Sequence, residues 1–169
     1  MTTTKGLAMH MKNTFAVLLF IATFTSPALY AQSIAVTPTD ERMAARGPAT
    51  AYTGLGITEI LFLHNDESSL TGAEIRFEPG ARTSWHTHPF GQYLYITQGV
   101  GWVQARGESK VLVRAGDVVW TPPNVFHWHG ATTEQAMTHI AVWRFDGDNG
   151  GEFGPLVTDA EYLSELAAD

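Results

Sequence analysis

Histidines at positions 86, 88, 127, 129 and 139 are five of the chain's seven, and four of them form two H-x-H pairs. In an extended strand, residues i and i+2 face the same side. His86 and His88 therefore project together, and so do His127 and His129. His139 shares a strand face with Ala141 and Trp143, and Gln92 follows His88 by four residues, adding an amide oxygen. A lone histidine on an apolar strand is ordinarily a satisfied core or surface residue. Five imidazoles buried together, with neither a metal nor an acid beside them, are poorly solvated, which a core seldom tolerates. The pattern predicts a metal. The chain has no cysteine, so the ligands must be histidine, carboxylate, amide or water, and no disulfide braces the fold. An imidazole left off the metal is an acid or base near neutral pH. His64, in "FLHNDES", reads instead as a solvated turn residue.

The elements that must hold these side chains are short and β-rich. "GITEILFL", "GAEIRFEPG", "QYLYITQG", "GWVQARG", "KVLVRAGDVVWTPP" and "MTHIAVWRF" are separated by Gly, Pro or Asn-Asp punctuation. Short strands with regular turns mean an all-β sandwich or barrel. In "AEIRFE", Ala73, Ile75 and Phe77 alternate with Glu74, Arg76 and Glu78, so one face is buried and the other wet. No helical period occurs within residues 57–146. The terminal "TDAEYLSEL" has one: Thr158 and Glu161 stand at capping-box spacing, and Tyr162, Leu163 and Leu166 supply an apolar side. Residues 32–55 read as an arm whose end becomes an edge strand, leaving 56–169 as the single domain.

Residues 1–31 read as a secretory signal: Lys5 and Lys12, an apolar run over 13–24, then the small-residue region "SPALYA". The apolar run is short for a membrane span. Cleavage after Ala31 leaves 8 basic against 17 acidic residues, a net charge of −9. That balance argues against nucleic acid or an anionic membrane as partner. The expected location is the periplasm or the medium.

Gly80, His86-x-His88, Gln92 and Gly99, followed by Gly116, Pro122 and His127, resemble in order and spacing the two motifs of the cupin superfamily. The resemblance spans about residues 73–142 and implies a double-stranded jelly roll with a short C-terminal helix. It also implies one divalent metal held by His86, His88, Gln92 and His127. Gln92 stands where the family's first motif has glutamate, and Asn124 and Ala131 replace the glycine and asparagine of the second. With a neutral amide in place of a carboxylate, the dication remains a stronger Lewis acid. Imidazole and amide suit Mn2+, Fe2+, Co2+, Ni2+ or Zn2+.

More narrowly, "FEPGARTSWHTHPFGQ", "GDVVWTPPNVFHWHGA" and "AMTHIAV" resemble the small bacterial cupin hydroxynitrile lyases, which use manganese to cleave cyanohydrins to an aldehyde and hydrogen cyanide. By that resemblance His129 and His139 lie in the pocket beside the metal, and as the spare imidazoles of the inner face they are the expected acid/base residues. Ala73, Ile75, Trp102 and Trp143 are expected in the substrate pocket. A cupin that captures a sugar or organic acid without turnover, or a dioxygenase or isomerase, stands as the alternative. A homodimer or homotetramer acting on a small molecule is expected.

Overall fold

The computed structural model describes residues 34–166; the expected signal segment and the first two residues of the arm lie outside them. Twelve strands follow in order: β1 Ala44–Arg46, β2 Tyr52–Thr53, β3 Gly56–Phe62, β4 Leu70–Phe77, β5 Arg82–Thr83, β6 His86–Thr87, β7 Gln92–Ala105, β8 Val111–Arg114, β9 Val118–Thr121, β10 His127–Ala131, β11 Met137–Arg144 and β12 Glu152–Phe153. One helical turn, α1 Asp159–Tyr162, ends the series. Every pair of these strands is antiparallel. One sheet runs β1-β3-β4-β11-β7-β9, and the other joins β2, β5, β10, β7 and β8, with β6 and β12 beside β10. The two sheets close face to face as a jelly-roll barrel. The arm contributes β1, which edges the first sheet against β3, and β2, which pairs with β5.

Strand β7 belongs to both sheets. "QYLYITQG" and "GWVQARG", which read as two strands in the sequence, are one 14-residue strand. Its first half pairs with β9 and β11, its second with β8 and β10. The crossing sits at a register shift opposite Thr138/His139, followed by Gly99 at φ +73°. A bulge bends a strand without ending its ladder, and glycine takes the positive φ at little cost. Before the shift Gln92, Leu94 and Ile96 are buried; after it Gly101 is buried and Val103 packs against the core. The inward parity thus moves from even to odd positions.

Two apolar clusters result. Ala73, Ile75, Phe77, Leu94, Ile96, Met137 and Ala141 fill the space between the sheets. Trp85, Trp128, Val157 and Tyr162, joined by Trp102 and Phe126, lie on the outside of the second sheet under the C-terminal segment. Arg82 ties that segment down, donating to the Val157 carbonyl at 2.8 Å and to Asp159 at 2.7 Å. Lys110 donates to the Tyr162 carbonyl at 2.5 Å, and the Tyr162 hydroxyl donates to the Ala131 carbonyl at 2.8 Å. The capping box forms as its spacing predicts, with Thr158 and Glu161 satisfying each other's backbone. The helix is a single turn, and of its apolar side only Tyr162 is buried; Leu163 and Leu166 are exposed.

Candidate metal centre

All five clustered histidines and Gln92 are buried, with exposures between 0% for His139 and 8% for His88. Strand β10 places His127 and His129 inward and sends Trp128 between them to the outer cluster. The β6–β10 ladder sets His86 opposite His127, with ring centroids 4.2 Å apart. His86 also lies 5.3 Å from the ring of His88 and 5.1 Å from that of His129. Nitrogens of His86, His127 and His129 fall within 4.8 Å of one another, a group suited to a divalent metal. His129 rather than His88 completes this tightest triplet.

Hydrogen bonds assign each ring a direction. His86 Nδ1 meets the Ser84 carbonyl at 2.9 Å, His127 Nδ1 the Val125 carbonyl at 2.9 Å, and His88 Nδ1 the Gly150 carbonyl at 2.6 Å. A carbonyl only accepts, so Nδ1 carries the proton in all three rings and Nε2 presents a lone pair, the tautomer a metal requires. His88 Nε2 is buried with no partner among the described residues. His127 Nε2 lies 3.1 Å from Gln92 Oε1, so two acceptors face each other there. A cation between such groups satisfies both, and the donor set fits a divalent metal.

His129 and His139 differ from the other three. Their rings stand edge to face with centroids 4.7 Å apart, and His129 Nδ1 is 3.1 Å from His139 Nε2. Either nitrogen can carry the shared proton. His129 Nε2 and His139 Nδ1 are both buried without partners among the described residues. Thr83 clamps the His129 backbone, its hydroxyl accepting from His129 N–H at 3.2 Å and donating to the His129 carbonyl at 3.3 Å.

Burial lowers the basicity of every ring. His86 and His129 are pushed well below the usual histidine range, chiefly by desolvation and then by neighbouring imidazoles. Desolvation takes His127 down to about 4 and His139 to about 3, and lowers His88 as well. All five are neutral near pH 7, with lone pairs available.

A cavity of about 690 Å³ opens onto His86, His88, Gln92 and His129, walled by Tyr52, Thr58, Ile75, Trp143 and Phe153. Arg46 also borders it, but Arg46 pairs with Ile57 while inward Ala45 pairs with Thr58. Paired residues share a sheet face, so Arg46 borders the rim by its backbone register, and the remaining lining is uncharged and largely apolar. Ile75 and Trp143 are where alternation predicts, the Trp143 ring 5.6 Å from that of His88. Two expected pocket residues are elsewhere. Trp102 packs on the outer cluster, against Tyr162 at 5.0 Å and under the Lys110 ammonium at 3.7 Å, because the slip in β7 reverses its facing. Ala73 is sealed in the core between paired Ile60 and Ala141 and does not reach the cavity. Sequence reasoning missed Tyr52, whose hydroxyl lies 3.0 Å from Thr58 Oγ1; it sits in the arm, where no periodicity points to it.

Asn124 has φ +59°, the one non-glycine residue with positive φ among those described. It occupies the position at which the cupin motif carries glycine. Asparagine tolerates the left-handed region better than most residues, so the turn survives, and its N–H donates to the His88 carbonyl at 2.9 Å.

Residues 73–143 match the cupin domain family. An (R)-mandelonitrile lyase from Granulicella tundricola is 45% identical over 120 residues, covering 70% of this chain and 91% of that protein. The crystal structure of a cupin-like protein from Thermotoga maritima is 37% identical, with a TM-score of 0.67 over 70% of this chain and 90% of that one. A cupin-2 domain protein from Rhodospirillum rubrum shares the fold at 17% identity, with a TM-score of 0.57 over 78% and 84% of the two chains. With the family match over residues 73–143 and relatives at 45% and 37% identity that it covers to about nine-tenths of their length, the chain belongs to the cupin family.

Proposed function

We propose that this cupin is a metal-dependent lyase of the hydroxynitrile lyase kind, cleaving and forming cyanohydrins. The observation that carries the reading is the division of five buried imidazoles into two hydrogen-bonding classes. His86, His88 and His127 have Nδ1 committed to carbonyls and Nε2 left as lone pairs, which suits ligands. His129 has Nδ1 on another imidazole, so its tautomer is open, which suits a proton carrier. We therefore assign His86, His88, Gln92 and His127 to the metal, most simply manganese, and His129 and His139 to proton transfer. The (R)-mandelonitrile lyase relative supports the reaction class, and the aromatic side chains Tyr52, Trp143 and Phe153 on the wall suit an uncharged aryl cyanohydrin.

A bound dication supplies the Lewis acidity that makes a cyanohydrin hydroxyl acidic. His129 Nε2 accepts the hydroxyl proton, while its Nδ1 proton passes along the 3.1 Å bond to His139 Nε2. The electron pair left on oxygen closes the carbonyl as the C–C bond breaks, and that bond's electrons leave with cyanide. The proton then returns through His129 Nε2 to cyanide, giving hydrogen cyanide and the original neutral pair. Trp143, Tyr52 and Phe153 hold the aryl group and exclude water.

The test is cyanide release from mandelonitrile by protein loaded with manganese, together with metal content of His86→Ala and His127→Ala. Turnover is expected in the parent and loss of metal in both variants. No release from aromatic or aliphatic cyanohydrins would end the lyase reading and leave ligand capture. Metal at one equivalent in both variants would end the ligand assignment.

Export by the N-terminal segment and assembly of two or more copies belong to the same proposal. Tyr93 pairs with Trp120 and Tyr95 with Val118 across β7 and β9, and all four are exposed, an apolar surface that an assembly would cover. Light scattering at micromolar concentration should give a mass above that of one chain.

A further inference from the structure

The three rings whose Nδ1 meets a carbonyl are not oriented in the same way. His86 and His127 use carbonyls two residues back in their own segments, Ser84 and Val125. Those bonds form wherever the local strand forms. His88 uses the carbonyl of Gly150, 62 residues away. Its direction depends on a separate piece of chain being docked.

That piece is held closely. β12 pairs with β6, Glu152 opposite Thr87 and Phe153 opposite His86. Gly154 N–H donates to the Trp85 carbonyl at 2.6 Å, and Trp85 N–H donates to the Pro155 carbonyl at 3.0 Å. Phe153 lies 5.8 Å from the His86 ring. Gly151 sits at φ +140°, and a Cβ there would stand 2.0 Å from the Thr87 carbonyl oxygen and 2.9 Å from His88 Nδ1. No larger residue fits without moving one of them. Between this segment and the histidines lies a cleft of about 290 Å³, bounded by His86, His88, Trp143, Gly150, Gly151 and Phe153. The segment therefore closes the centre on a side the barrel strands leave open.

We propose that residues 150–154 form a positioning strap that orients His88 through the Gly150 carbonyl and so sets how firmly the metal is held. The inference rests on the assignment of His88 as a ligand. It makes the centre a composite of the barrel and a segment after it, and it makes His88 the one histidine ligand whose direction can be lost while the barrel stays folded. Partners of ligating histidines typically account for about 10–100-fold in metal affinity.

The experiment measures manganese(II) affinity and dissociation rate by paramagnetic resonance on the full chain, for the parent, Gly151→Ala, His88→Ala and the double variant. Gly151→Ala is expected to weaken manganese binding by about 10–100-fold, and to do almost nothing further in the His88→Ala background. Contacting residues that act through one interaction show this non-additivity. Asn149→Ala provides a second probe should Gly151→Ala fail to fold. Asn149 Oδ1 accepts from Gly151 N–H at 3.0 Å, so its loss loosens the strap without adding bulk, and a smaller weakening in the same direction is expected. Equal loss from Gly151→Ala with and without His88 would overturn the strap, since the effect would then be general. Parent-like affinity in both strap variants, with His88→Ala weakened, would overturn it as well. Parent-like affinity in His88→Ala itself would remove His88 from the ligand set and the strap with it.

Discussion

At the scale of residues, the shared proton between His129 Nδ1 and His139 Nε2 decides what His129 presents to the cavity. With the proton on His129 Nδ1, its Nε2 is a base; with the proton on His139, His129 Nε2 is a donor. Both outer nitrogens are buried and unpartnered among the described residues, an arrangement that costs stability and calls for a functional reason. On the proposed mechanism, His139→Ala keeps the metal, because all four assigned ligands remain, and loses about 10²–10⁴-fold in turnover. Melting temperature, metal content and cyanide release on one preparation check this. A stable, loaded variant that turns over at the parent rate would leave His129 to act alone. A variant that simply melts would make His139 a structural residue.

At the scale of elements, the site is only as firm as the strands and the C-terminal segment that carry it. Arg82, Lys110 and the Tyr162 hydroxyl hold that segment on the second sheet, and β10 beneath it supplies His127 and His129. Tyr162→Phe removes a buried hydroxyl from the Ala131 carbonyl and should cost about 0.5–1.5 kcal/mol. Thr158→Ala, which empties the capping box, should cost about 1 kcal/mol. Denaturant melts of the metal-free protein read both, and a null result in each would detach the segment from barrel stability. The facing of His127 and His129 was legible in the sequence because an H-x-H pair keeps its parity within one strand, whereas His88 lies just past the end of β6 and is turned by Gly150. Trp102 was not legible, because the register shift opposite Thr138/His139 reverses parity and only the pairing reveals it. The carbonyl partners of the rings were equally hidden: an i−2 bond leaves no compositional mark, and Gly150 reaches His88 from a loop without periodicity. Tyr52 escaped because its ring packs near Phe77 from outside any patterned strand, at 5.9 Å.

At the scale of the whole molecule, burying five neutral imidazoles links folding to pH. In the unfolded chain a histidine titrates near 6.5, whereas in the barrel burial takes His127 to about 4 and His139 to about 3 and holds His86, His88 and His129 low as well. Above pH 6.5 these rings are neutral in both states, so they give stability no slope. Below it the unfolded chain binds protons that the folded chain refuses, and stability falls as pH drops from 6.5 towards the folded values. One group crossing two pH units is equivalent to roughly 2–3 kcal/mol, so His127 and His139 together are comparable with the net stability of a marginal domain. The metal-free protein should therefore melt at nearly constant temperature between pH 8 and 7, and at steadily lower temperature from 6.5 to 5. His139→Ala should flatten the slope by one histidine's share, even where it lowers the melting temperature at neutral pH. Manganese should raise the whole curve and steepen it, because protons and metal compete for the same lone pairs. A metal-free melting temperature that stayed level down to pH 5 would mean that the histidines take up protons in the fold, and the neutral centre on which both ligation and proton transfer depend would be lost.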